Sequence, residues 1–217
     1  MTPSIKLHSI TFAISTSIVF SIWTQLQKLQ ELNNVPTIII GTLISLGIYR
    51  IISSTIIYFT HKSGWFKKQF LGNHYVEGTW AGFYIGVSGK QRFYIERFEQ
   101  GIDTLIIRGT SFNEKSEFHS KWSTETVNMN ITTGKISYMY EIESINEKSN
   151  NNGIAFLNID RNNQYSEPNG FTGFTTDLHL GKRVKSKEIK VSNRCDFNEK
   201  KAIEIAKKLY KENMGKF

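Results

Sequence analysis

The chain has 217 residues, of which 39% are hydrophobic and 21% charged, with a formal net charge of +8. This length is too great for a bare membrane hairpin, and it allows one ordinary domain with an appendage. Residues 1–60 contain three basic residues and one acidic residue, so the remainder of the chain carries a net charge of +6. A positive charge of this size is equally compatible with binding of anionic small molecules, nucleic acid or lipid headgroups.

The N-terminal region contains two apolar segments, Leu7–Trp23 and Val35–Phe59. A helix needs about 17–25 apolar residues to cross a bilayer, so each segment predicts one transmembrane span. A signal peptide is the alternative for the first segment, but no small-residue cleavage motif precedes Gln25. We therefore predict a transmembrane hairpin over residues 1–62.

Charges near the two spans predict their orientation. Lys6 precedes the first span, whereas His61 and Lys62 follow the second. The positive-inside rule then places both termini in the cytoplasm. Arg50 interrupts the second span, and we expect its side chain to snorkel to the headgroups rather than to conduct ions.

Small residues recur every four positions in both spans, a spacing that lets helices approach closely in lipid. They are Ser9, Ala13, Ser17 and Ser21 in the first span and Gly41 and Ser45 in the second. Two interpretations remain open: the ladder packs the two spans of one chain together, or it also mediates contact between protomers.

Alternating polar and apolar residues begin after Phe70 and predict a mainly-β domain over residues 68–217. The candidate strands are Tyr75–Ile85, Arg92–Glu99, Asp103–Thr110, Glu117–Ser123, Val127–Thr132, Lys135–Ser144, Gly153–Asp160, Gly170–Asp177 and Lys187–Arg194. The fourth and fifth segments are also consistent with one bent strand. About eight strands with hairpin-length connections predict an antiparallel barrel, a sandwich being the alternative.

The chain ends in a predicted amphipathic helix. Asp196 and Glu199 have the spacing of a capping box, and Ala202, Ile205 and Leu209 follow on one face. We expect this helix to pack on the barrel, although a role at a lipid surface is also compatible with its lysines.

Catalytic and metal-binding motifs are not evident. The five histidines lack the spacing of metal-ligand pairs, the single cysteine Cys195 has no cysteine partner, and Gly86–Lys90 lacks the spacing of a phosphate-binding loop. We therefore expect a binding protein without catalytic residues, metal or cofactor.

Aromatic residues with neighbouring basic residues favour a ligand that has π-faces and negative charge. On β-strand alternation, Phe93, Ile95 and Arg97 form one face, and we expect Arg97 to point into the barrel. The candidate ligand-binding residues are Tyr84, Arg97, Trp122, Tyr138, Tyr140 and Thr175.

Two short N-terminal spans followed by a compact barrel that opens with Gly78-Thr79-Trp80-Ala81-Gly82-Phe83-Tyr84 resemble a known family. It is the two-transmembrane β-barrel effector family of bacterial CBASS antiphage systems. The resemblance implies a barrel that senses a cyclic dinucleotide made by a partner nucleotidyltransferase. It further implies that ligand binding promotes homo-oligomerisation, after which the spans disrupt the bacterial inner membrane and kill the infected cell.

Gly78-Thr79-Trp80 is also similar to the Gly-x-Trp element of lipocalins. A membrane-anchored carrier or sensor of an apolar ligand is therefore the alternative function, and it predicts an apolar pocket without ligand-driven assembly. A purely structural anchor whose barrel binds another protein is a third hypothesis.

Overall fold

The computed structural model describes residues 2–27, 34–144, 151–178 and 181–215, of which 26–27, 34–40 and 144 are described by backbone only. The chain forms two compact units. The first comprises Met1–Leu71 with Gly101–Asp103, and the second comprises Gly72–Gln100 with Thr104–Phe217.

The first unit contains three helices: α1 (Pro3–Gln27), α2 (Asn34–Lys62) and α3 (Gly64–Leu71). Among the described residues, Pro3–Gln25 and Gly41–Lys62 are long and apolar enough to cross a membrane. Arg50 lies inside the second of these segments and is exposed. The connection between α1 and α2 lies largely outside the described residues.

The small-residue ladder of α1 does not pack against α2. Ser9, Ala13, Ser17 and Ser21 are exposed, while the buried face of α1 carries Leu7, Thr11 and Ser15. The second-span residues differ, because Gly41 and Ser45 are partly buried and Gly41 lies against the Trp23 ring. The interpretation in which the α1 ladder joins the two helices of one chain is therefore wrong.

The second unit is a closed antiparallel barrel of eight strands in sequential order, with β1 paired to β8. The fold class predicted from the sequence is therefore confirmed. The strands are β1 (Gly78–Ile85), β2 (Gln91–Gln100), β3 (Leu105–Phe112), β4 (Phe118–Asn130), β5 (Lys135–Ser144), β6 (Asn151–Asp160), β7 (Gly170–Asp177) and β8 (Arg183–Ser192). The fourth and fifth candidate segments form the single strand β4, with a register shift between Thr124 and Thr126.

The C-terminal helix α4 (Glu199–Asn213) covers the outer face of β1, β2 and β8. Its apolar side chains pack with those on the outside of the first two strands: Ala81, Phe83, Phe93 and Ile95 meet Ala202, Ile203, Ala206 and Leu209. The N-cap is Asn198 rather than Asp196, and its side chain accepts from the Lys201 backbone N–H. The two carboxylate oxygens of Asp196 accept instead from the Arg194 guanidinium, at 2.8 and 2.6 Å.

Candidate functional site

One end of the barrel interior is filled by stacked aromatic rings. Trp80 lies 4.5 Å from Phe171 and 5.2 Å from Phe98, measured between ring centroids. The Trp80 indole N–H donates a hydrogen bond of 2.9 Å to the carbonyl oxygen of Val76. The Gly-x-Trp element therefore supplies a packed plug with a satisfied donor, and this part of the barrel is core rather than binding site.

Beyond this plug the interior holds a cavity of about 270 Å³. Five of the six predicted site residues line it: Tyr84, Trp122, Tyr138, Tyr140 and Thr175. They come from four strands, and each lies on the inward-facing register of its strand. The structure therefore brings five of the six candidates together around one cavity.

Three aromatic rings around this interior lie over glycines of the neighbouring strand. The cross-strand pairs are Gly82–Tyr94, Gly109–Trp122 and Gly153–Tyr140. A Cβ atom on any of these glycines would overlap the opposing ring. The glycines thus give these rings room close to the backbone of the neighbouring strand.

Two glutamates are buried in the middle of the barrel. Glu96 on β2 is 1% exposed and lines the cavity, and Glu188 on β8 is 0% exposed. Glu96 Oε1 accepts hydrogen bonds from Trp122 Nε1 and from the Tyr138 hydroxyl, each 2.9 Å long. Glu96 Oε2 and both carboxylate oxygens of Glu188 have no donor among the described residues.

The two carboxyl groups interact with each other, and this interaction affects which of them loses its proton first. Burial, and then the negative charge of Glu96, raise the pKa of Glu188 well above its ordinary value. Burial also raises the pKa of Glu96, while hydrogen bonds from Trp122 and Tyr138 act in the opposite direction. Glu188 therefore keeps its proton to a higher pH than Glu96 does, and in that form it can donate to Glu96.

The phenols beside the pair remain protonated. Burial raises the pKa of Tyr94 and of Tyr138 well above their ordinary values, and the two glutamates add to the effect. Tyr138 therefore remains a hydrogen-bond donor to Glu96 across the physiological pH range. The described interior thus combines aromatic walls with one buried pair of carboxyl groups.

Polar residues line the cavity near the opposite end of the strands from the plug. They include His119, Asp177 and Lys182. Burial, followed by the positive charge of Arg92, lowers the pKa of His119, which keeps its imidazole neutral near pH 7. Lys182 is the cation among the described lining residues.

The expectation that Arg97 points into the barrel is wrong. Its side chain lies on the outer face, where Nε donates to the Cys195 carbonyl oxygen at 3.1 Å. Its guanidinium lies 3.5 Å from the Glu199 carboxylate at the start of α4. Arg97 therefore joins β2 to the region around α4, and it does not line the cavity.

Sequence reasoning missed Glu96, Glu188 and the three wall glycines. One signal was available, because Glu96 lies between Tyr94 and Phe98 on the same face of an aromatic-rich strand. Within the described ranges, no group of three or more His, Cys, Asp or Glu side chains is placed to hold a metal ion.

Comparison of the chain with protein-family models, with curated proteins and with solved structures finds no match.

Proposed function

We propose that this protein is a membrane-anchored receptor whose barrel binds a nucleotide second messenger, with a base in the aromatic cavity. The observation that carries the proposal is the cavity lined by Tyr84, Trp122 and Tyr140 together with the Glu96 acceptor. Aromatic rings stack on bases, and a buried carboxylate accepts from the N–H groups at a base edge.

The size of the cavity supports an arrangement in which only part of the ligand enters. Its volume of about 270 Å³ lies slightly below the range of about 300–1,000 Å³ typical of sites that enclose a drug-sized molecule. One base fits this space, and the sugar–phosphate part of a cyclic dinucleotide would remain near Lys182. This separation keeps phosphate negative charge away from Glu96.

The resemblance to CBASS effectors supports a second part of the proposal, which concerns the membrane. Two apolar helices precede the barrel, and basic residues flank them in the pattern expected for cytoplasmic termini in a bacterial inner membrane. Ligand binding would then promote assembly of several chains, and the helices would disrupt the membrane of the infected cell. A cognate nucleotidyltransferase would act through its product only.

A lipocalin-like carrier of an apolar ligand is the second candidate, favoured by the closed eight-stranded barrel with a Trp80 plug. Glu96 argues against it. An apolar ligand would cover a buried carboxylate without supplying a donor, and such burial costs roughly 1–3 kcal/mol per unsatisfied group. A ligand with N–H donors removes this cost.

Thermal unfolding of the full-length protein in detergent tests the proposal. A panel of cyclic di- and trinucleotides is compared with a fatty acid and with no ligand. A ligand at 100 times its dissociation constant stabilises the folded state by about 2.7 kcal/mol. We expect this from one cyclic nucleotide, and we expect Tyr140→Leu to weaken it because the stacking ring is lost.

Arg97→Ala is the matched control, because Arg97 is a β2 residue outside the cavity. It should leave the ligand-induced stabilisation unchanged. Stabilisation by the fatty acid alone would favour the carrier instead. Stabilisation by neither class, with the barrel folded, would contradict both candidates.

A further inference from the structure

The floor of the cavity contains an acceptor that the protein leaves partly unused. Glu96 Oε1 has two donors, which fix the carboxylate in place, whereas Oε2 has none among the described residues. Buried polar atoms in folded proteins almost always have a partner. Among the described residues, the protonated Glu188 carboxyl is the one neighbour that can donate to the rest of the Glu96 carboxylate. Because Glu96 also lines the cavity, a ligand that enters can add a further donor.

Glu188 affects both the charge of Glu96 and the hydrogen bonds that Glu96 accepts. When Glu188 carries the proton and Glu96 is ionised, the pair holds a single negative charge, which resides on Glu96. A carboxylate oxygen offers two lone pairs, so Oε2 can accept from protonated Glu188 and still accept from a ligand. In that state Glu96 is an anion held in place by its donors, and it keeps one lone pair available to a ligand in the cavity.

The walls restrict the shape of the group that reaches this anion. Tyr94, Trp122 and Tyr140 lie over their partner glycines, and all three line the cavity with aromatic side chains. A planar group matches such a space better than a branched or flexible one. A phosphate or carboxylate is disfavoured there, because its charge would repel Glu96 in a site shielded from water.

We propose that Glu96, supported by Glu188, selects a planar ring that presents adjacent N–H donors at its edge. This proposal rests on the proposed function, and it names guanine as the base that the barrel prefers. Guanine has a ring N–H beside an exocyclic amino group, whereas adenine presents one amino group beside a ring acceptor. The shared chemistry is that of an amidine, so benzamidine is the simplest probe.

Calorimetric titration of the full-length protein in detergent at pH 7 tests this assignment. The probes are cyclic di-GMP, cyclic di-AMP, cyclic di-IMP, which lacks the exocyclic amino group, and benzamidine. Cyclic di-GMP can make one more hydrogen bond to the charged acceptor than cyclic di-AMP or cyclic di-IMP. We therefore expect it to bind about tenfold or more tightly than either. The cyclic di-IMP comparison needs no variant, so it holds even if a substitution impairs folding.

Three variants separate recognition from a structural role. Glu96→Gln should abolish the guanine preference, because an amide is neutral and its NH₂ group would meet the ligand donors or Glu188. Glu188→Gln should retain the preference, since glutamine can still donate to Glu96. Glu99→Gln, an exposed residue of the same strand that pairs with Arg108, is the control and should bind like the wild type.

Each outcome decides one of the two proposals. Equal affinity for the guanine, adenine and inosine ligands would overturn the inference while leaving the proposed function intact. Binding of benzamidine that depends on Glu96, without binding of any cyclic dinucleotide, would support the inference and contradict the proposed function. Absence of binding by all four probes to a folded barrel would overturn both.

Discussion

Replacement of Glu188 by glutamine should change how the stability of the barrel depends on pH. Glu188 is fully buried beside Glu96, and its pKa is raised well above the ordinary value of a glutamate. The folded protein therefore keeps a proton that the unfolded chain releases near pH 4.3. Stability is greatest below that pH and falls as the pH rises towards the folded-state pKa, because the folded state binds more protons.

The magnitude follows from the number of protons involved. One extra bound proton makes the free energy of unfolding fall by about 1.4 kcal/mol per pH unit within this window. In Glu188→Gln the proton is absent, so this contribution to the pH dependence disappears. For a chain of this size 1 kcal/mol corresponds to about 2–4 °C in Tm, so the variant should gain roughly 3–6 °C over the wild type per pH unit.

The assay is thermal unfolding of both full-length proteins in detergent, followed by circular dichroism between pH 5 and pH 8. The difference in Tm removes the titrations of groups that do not interact with Glu188. Glu96, whose pKa burial also raises, is the shared carboxyl group that Glu188 does affect. Tyr94 and Tyr138, which face the pair, keep their protons because burial raises the pKa of each. Glu99→Gln, on the outside of β2, should run parallel to the wild type. A constant difference between wild type and Glu188→Gln across this range would refute the buried-proton account.

Three further substitutions test other parts of the structure. Gly109→Ala places a Cβ against the Trp122 ring, so denaturant unfolding should show a loss of about 1–3 kcal/mol from overpacking, and ligand binding should weaken. Asn198→Ala removes the side chain that accepts from the Lys201 amide at 3.1 Å, and the same assay should show a loss of about 1 kcal/mol. Arg97→Ala should cost about 0–1 kcal/mol, because its ion pair is partly exposed, without changing calorimetric affinity; a loss of affinity would contradict its placement outside the cavity.

The fold was predictable because its signals are local. Apolar length identifies the two helices, and alternation with turn residues identifies the strands. The one uncertain segment, between Glu117 and Thr132, became a single strand because a register shift near Thr124 accommodates the irregular alternation. Helix α4 was also predictable from the spacing of its apolar residues, although it begins at Glu199 and its N-cap is Asn198 rather than Asp196.

The inner face of β2 was not predictable from alternation, because both faces of this strand are buried. Tyr94 and Phe98 face the barrel interior, while Phe93 and Ile95 pack against α4. Because both faces of the strand carry apolar residues, the alternation does not show which face points inward, and the prediction for Arg97 is wrong. One error of register moves every side chain of a strand to the opposite face.

The carboxyl pair and the wall glycines depend on contacts that are distant in sequence. Glu96 and Glu188 meet only because the barrel closes between β1 and β8. Glycine within a strand usually indicates a bulge or a bend, and only the cross-strand partner reveals that Gly109 makes room for Trp122. The aromatic residues of the cavity could thus be predicted from the sequence, whereas the carboxyl pair and the wall glycines required the structure.

The most direct test of a base-binding cavity uses the indole N–H signals of the protein's four tryptophans. Trp122 donates to Glu96 at the cavity, whereas Trp80 donates to Val76 in the plug, so the two report on different parts of one barrel. Full-length ¹⁵N-labelled protein in detergent is titrated with cyclic dinucleotides, with Trp122→Phe to assign the signal. We predict a saturable shift of the Trp122 signal, larger than that of Trp80, with one nucleotide. Calorimetric binding of that nucleotide without any shift at Trp122, or no binding by any nucleotide to the folded protein, would contradict the account.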